Sequence, residues 1–132
     1  MRWAEAPLLL AALAGGCASP PDENACANIR TEDADGGARD DATGIWSSSP
    51  WSGPHVFAPA YTTLRIRHGL GRVPQRIECY ASFSRAGGNI AKQVGNTCTI
   101  IPSCNGSPGI TEDSILYRNG GGQDFYVRFV LE

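Results

Sequence analysis

Over the C-terminal two thirds of the chain, apolar and polar residues alternate with a period of two. Leu64 and Ile66 alternate with Arg65 and Arg67, and Ile77, Cys79, Ala81 and Phe83 alternate with Arg76, Glu78, Tyr80 and Ser82. Near the C-terminus Phe125, Val127, Phe129 and Leu131 share one parity and Tyr126, Arg128 and Val130 the other. Successive side chains of a strand point to opposite faces, so each run offers one apolar face and one wet face. Shorter strands are expected at 90–94, 97–101 and 114–118. Turn residues separate them: Gly69-Leu70-Gly71, Gly87-Gly88-Asn89, Gly95-Asn96, the 102–108 loop, and Asn119 followed by three glycines. No stretch sustains a helical period. The pattern predicts an all-β fold, a compact antiparallel sandwich of about six strands spanning 44–132.

The first twenty residues follow a different rule. One cation at Arg2 precedes an apolar run over 6–14 and then small residues up to Cys17. That run is too short to cross a bilayer, which takes about 20 apolar residues, and matches a secretory signal instead. Leu13-Ala14-Gly15-Gly16-Cys17 resembles the lipobox of bacterial lipoproteins. The resemblance implies that 1–16 is a signal peptide and that the chain is cut before Cys17. It also implies that Cys17 is acylated and anchors the protein to membrane. An ordinary signal cut near Ala18 is the alternative. Ala18, rather than Asp, after the cysteine implies delivery to the outer membrane of the cell envelope, its face left open. One acyl chain binds membranes marginally, whereas two or more anchor stably.

Between leader and sandwich, 20–43 holds seven acids against Arg30 and Arg39, with Ile29 as the one large aliphatic residue. So little apolar surface does not offset chain ordering, and 17–43 is expected to be a lipid-bearing, flexible acidic tether. Asp33 and Asp35 before two glycines suggest a calcium loop, but the twelfth position from Asp33 is Gly44, where an EF-hand needs Glu. The net charge of -2 therefore hides two unlike halves, since 44–132 carries eight basic residues against five acids.

With Cys17 consumed by lipid, Cys26, Cys79, Cys98 and Cys104 remain, an even set that suggests two disulfides in an exported chain. The pairing stays open. Cys98 could close the loop to Cys104, leaving Cys26 for Cys79, or Cys79 and Cys98 could sit on neighbouring strands. A zinc site lacks any CxxC pair, and His55 and His68 stand outside ligand spacing, so no metal or other cofactor is expected.

No nucleophile-elbow, zincin or phosphate-loop motif occurs, so no enzymatic activity is expected, and the charge gives no basic excess for nucleic acid. Glu112 and Asp113 read as a solvated corner. The stretch TLRIRHGLGRVPQRIECYASF over 63–83, Leu116-Tyr117-Arg118-Asn119 and DFYVRFV over 124–130 together resemble the H-type lectin domain. That resemblance implies a six-stranded antiparallel sandwich that forms homo-trimers and binds sugars such as N-acetylgalactosamine. The HGLGRVP element also resembles strand connections in phage tail-fibre tip domains, and the cysteine-bearing 102–108 insertion departs from both. The candidate ligand-binding residues are Trp46 and Trp51 as stacking surfaces, His68 as a donor at a loop mouth, Arg72 and Tyr80. Arg65, Arg67, Arg76 and Arg128 are expected on a basic outer face able to meet acidic glycans, lipid headgroups or the acidic segment. The combined expectation is an exported, lipid-anchored, non-enzymatic binding module whose partner is a glycan or a surface protein. The alternative is a structural envelope lipoprotein whose sandwich oligomerises without a small ligand.

Overall fold

The computed structural model describes residues 25–34, 36–93 and 98–132, and among these it contains strands and turns but no helix. The strands are β1 (Arg30–Asp33), β2 (Ala38–Arg39), β3 (Trp46–Ser47), β4 (Val56–Ala58), β5 (Thr62–Arg67), β6 (Ile77–Ser82), β7 (Ala91–Gln93), β8 (Ser103–Cys104), β9 (Ser107–Pro108), β10 (Ser114–Asn119) and β11 (Phe125–Leu131). The three clearest alternating runs are β5, β6 and β11. The strand expected at 97–101 is not formed among the residues described there, Ile100 making only an isolated bridge to Tyr117. The strands not expected are mostly two- and three-residue pieces, too short to show a period.

A three-stranded sheet has the order β1-β5-β10. The larger sheet has the order β2-β3-β11-β6-β7, with β4 also pairing β11. Leu64, Ile66, Ile115 and Tyr117 from the first meet Val56, Cys79, Val127, Phe129 and Leu131 from the second in one buried core. The rings of Tyr117 and Phe129 close it edge to face, 5.1 Å between centroids. The result is the all-β sandwich the alternation implies. One pair departs from the antiparallel rule: β1 runs parallel to β5, with Arg30 opposite Leu64 and Asp33 opposite Arg67. A parallel neighbour needs a long crossover, which the chain through β2, β3 and β4 supplies.

The tether expectation is corrected for the residues described. Residues 25–34 and 36–43 are not a free linker, because β1 lies along β5 and β2 pairs β3. Asp33 faces Arg67 at 3.7 Å, and Arg30 bonds Glu32 at 2.9 Å. Ala25, Cys26 and Ile29 pack on a second apolar cluster of Ile101, Cys104 and Leu116, on the outer side of the three-stranded sheet. Composition counts only the segment's own apolar surface, whereas the surface that orders it comes from β10 and the loop before it. Covering that outer side also explains why all six residues of β10 are buried and the strand shows no clean alternation. Cys17 and the signal peptide lie outside the described residues.

Two disulfides form, Cys26–Cys104 and Cys79–Cys98, with Cα separations of 5.4 and 5.5 Å. Of the pairings left open by the sequence, this is the one with Cys79 and Cys98 together. Gly109 lets the loop before β10 close: an added Cβ would fall 1.7 Å from the carbonyl oxygen of Ile101.

Candidate functional site

With the outer side of the small sheet covered, the outer face of the large sheet is the broad strand surface left to solvent. Register places Lys92 opposite Tyr80, and Tyr80 opposite Arg128, in one row across β7, β6 and β11. The far edge of β11 is shared by β4, against Phe125–Val127, and β3, against Val130 and Leu131. Between those pairings the chain leaves the sheet at Ser48 and returns at His55, beside Arg128. Pro50, Gly53 and Pro54 in that excursion disfavour continued strand.

The excursion folds Trp51 over the sheet. Its ring lies on the Arg128 guanidinium, 3.9 Å from centroid to Cζ, and meets the Tyr80 ring edge to face at 4.8 Å. Arg128 Nε donates to the Ser49 carbonyl at 2.7 Å, which ties the loop to β11. His55 ties it to itself: Nε2 faces the Trp51 carbonyl at 3.2 Å and Nδ1 faces Ser49 Oγ at 2.9 Å. A carbonyl only accepts, so Nε2 carries the proton and Ser49 Oγ–H donates to Nδ1. Gly87, at φ +79°, makes room, since a Cβ there would sit 2.3 Å from His55 Nε2 and 2.4 Å from the Trp51 carbonyl oxygen. Ser and His at bonding distance have the residue types of a nucleophile and base. Both are sealed inside the loop, 1% and 3% exposed, so their bond acts as a clasp.

Polar groups flank the stack. Tyr80 Oη donates to Glu78 Oε2 at 2.8 Å and Lys92 Nζ to Oε1 at 3.1 Å, with Lys92 also 5.9 Å from the Tyr80 ring centroid. These bonds, Tyr80 first, hold the Glu78 carboxyl below its ordinary range, and the same carboxylate raises the Tyr80 phenol. Desolvation lowers the Arg128 guanidinium, opposed by Tyr80. Its Nη1 is buried without a hydrogen-bond partner, beneath the indole face. On the other side of Arg128 a groove of about 460 Å³ runs past Ser49, Ser47, Thr43 and Arg39. Among the described residues no group of three His, Cys, Asp or Glu side chains stands close enough together to hold a metal ion.

The five candidate residues thus divide. Trp51 and Tyr80 come together on the exposed face, Trp51 being 53% exposed. Trp46 is buried and packs edge to face with buried His68, 6.1 Å between centroids, so both are core residues and neither offers a ligand surface. His68 Nδ1 accepts from the Leu70 amide at 3.0 Å, which ties that side of the ring to its own turn. Arg72 stands apart from the stack, donating to the Gly44 carbonyl at 3.2 Å. The expected single basic face is also corrected. Arg65 and Arg67 belong to the three-stranded sheet, while Arg76 and Arg128 lie with the larger one. Arg67 pairs with Asp33 of the acidic segment, and Arg76 with Glu132 at 2.7 Å. Arg128, expected only as part of the basic face, has a place under Trp51 that no local pattern reports. Its parity placed it outward, but its partners come from a loop more than seventy residues earlier.

The histidines have a measurable consequence. Burial, the leading cause in each, lowers both from the ordinary 6.5; the Trp51 carbonyl opposes it at His55, and the Thr111 and Ser114 carbonyls and Asp113 at His68. The unfolded chain therefore takes up protons near pH 6.5 while the fold does so only at lower pH. More protons on the unfolded state means that stability falls as pH drops below 6.5. The urea midpoint is expected to be lower at pH 5.5 than at 7.5, with the difference shrinking in His68→Gln. An unchanged midpoint in the wild type would contradict this.

Searches of family models, curated proteins and solved structures returned no match to this chain.

Proposed function

We propose that the protein is an exported, lipid-anchored, non-enzymatic binding module that holds carbohydrate on the outer face of its larger sheet. The observation that carries this reading is the Trp51 ring, half exposed yet pinned from below by Arg128 and from the side by Tyr80. A sugar ring has an apolar C–H face and a rim of hydroxyls. A fixed indole suits the first, and Glu78, Lys92 and the Tyr80 hydroxyl, already sharing hydrogen bonds beside it, suit the second. Because the ring is held before any ligand arrives, little ordering entropy is lost on binding. The lipobox resemblance supports display from a membrane through acylated Cys17.

A glycan array probed with the mature chain tests the reading, with the mass measured by light scattering on the same sample. Binding to at least one saccharide class is expected. Trp51→Ala should weaken it about tenfold or more, as removal of a central aromatic anchor does, while His68→Gln should leave it unchanged. A stable oligomer, a trimer for instance, with no binding to any sugar would favour the structural envelope role instead.

A further inference from the structure

We propose that the end of the sandwich carrying Tyr61, Phe83 and Phe125 rests on the bilayer to which Cys17 is anchored, an inference that depends on the lipid-anchor part of the reading above. Strand direction gathers this end. β5 begins there, with Thr62 opposite the last residue of β10, Asn119. β11 begins there after a short turn, Phe125 opposite the last residue of β4, Ala58, and Tyr126 opposite the last residue of β6, Ser82. β1 runs parallel to β5, so the chain that leads into it also lies at this end, where Thr63 Oγ1 donates to the Ala25 carbonyl. Cys17 is eight residues before Ala25, a reach of at most about 29 Å. Because the lead leaves the domain at this end, an anchor on it brings this end to lipid before the opposite one.

The two ends differ in what they offer. At the anchored end Tyr61 is 66% and Phe83 76% exposed, and Phe125 lines an apolar groove of about 470 Å³ with Ala81, Ala91 and Gly122. Asp124, the acid of this turn, is already engaged, accepting the Ala60 amide at 2.8 Å. The opposite end gathers Asp33, Arg67, Glu112, Asp113, Arg76 and Glu132, where β1 and β5 finish, β10 starts and β11 finishes. Aromatic rings settle at membrane interfaces, while charged side chains are costly to take out of water. Exposed rings and a groove facing the anchor therefore fit a lipid surface, and the charged end fits water. In this pose the Trp51 face stands upright along the side of the domain, open to a soluble glycan.

The test uses the mature chain, acylated in cells with radiolabelled fatty acid and reconstituted into phosphatidylcholine vesicles with or without brominated acyl chains. In Phe83→Trp, and separately in Tyr61→Trp, the new indole is expected to lose emission in brominated vesicles and to shift to the blue. The wild type, whose mature tryptophans are Trp46 in the core and Trp51 on the side, is expected to lose little. Label present with no added quenching in either variant overturns the proposal and leaves the anchor standing. Quenching of the wild type to the same extent places the Trp51 face on the membrane and also overturns it. Absence of label removes the anchor and this orientation together.

Discussion

Phe129→Ala is expected to lower the unfolding free energy by about 3–5 kcal/mol, the range for truncating a fully buried aromatic side chain. Phe129 is fully buried on β11, the strand that pairs β3, β4 and β6. Its ring closes the core against Tyr117, and its backbone exchanges hydrogen bonds with Ser48, whose amide donates to the Phe129 carbonyl and whose Oγ accepts from the Phe129 amide. The alanine leaves a cavity beneath one of the contacts that tie the Trp51 loop to β11, the other being the Arg128 bond to the Ser49 carbonyl. Against a total stability of order 5–15 kcal/mol for a domain of this kind, much of the fold's margin goes. Phe83→Ala is the matched control: the same residue type, three-quarters exposed, with an expected change within about 0.5 kcal/mol. Urea unfolding of both variants checks the pair, and a Phe129→Ala midpoint no lower than that of Phe83→Ala would show the core to be misplaced.

Replacing Cys26 and Cys104 together by alanine is expected to cost about 4 kcal/mol, and replacing Cys79 and Cys98 about 3 kcal/mol, since the first bridge closes the longer loop. The sequence separations are 78 and 19 residues. The first pair carries a local effect as well. Cys26 holds Ala25 and Ile29 against Leu116, and without it this segment is left with the edge of β5, the Thr63 bond to the Ala25 carbonyl and the surface ion pair of Asp33 with Arg67. Exposed ion pairs add little. Limited proteolysis of the first double variant should therefore cut within 25–33 before the sheets open, whereas the second should unfold as a unit. Early cleavage in both, or in neither, would contradict the assignment of β1 to the sandwich through Cys26.

How much of this was legible in the residues depends on range. β5, β6 and β11 were readable because each is long enough for a period of two to show, and the glycine-rich turns between them mark their ends. β1 was not, because Arg30-Thr31-Glu32-Asp33 has no apolar parity of its own. It becomes a strand by lending backbone to β5, an edge whose availability no local pattern reports. Trp46 and Trp51 make the same point. Five residues apart in one Ser- and Pro-rich stretch, they had equal claim to a ligand, and one went inward on β3 while the other swung out on the loop that follows.

Tyr80 and Trp51 meet through a register that pairs Tyr80 with Arg128 and an excursion that passes over both. That meeting depends on β3 and β4 sharing one edge of β11, a fact of sheet order rather than of any motif. What the sequence determined by itself was the class of the fold, the even set of cysteines beyond Cys17, and the outward parity of Tyr80 and Arg128, because alternation and counting are local properties. Which cysteines join, whether the acidic segment is bound, and which tryptophan faces solvent were decided only by tertiary structure. Each of those outcomes is set by the distance between residues far apart in the chain, and that distance exists only once the two sheets have closed on their core.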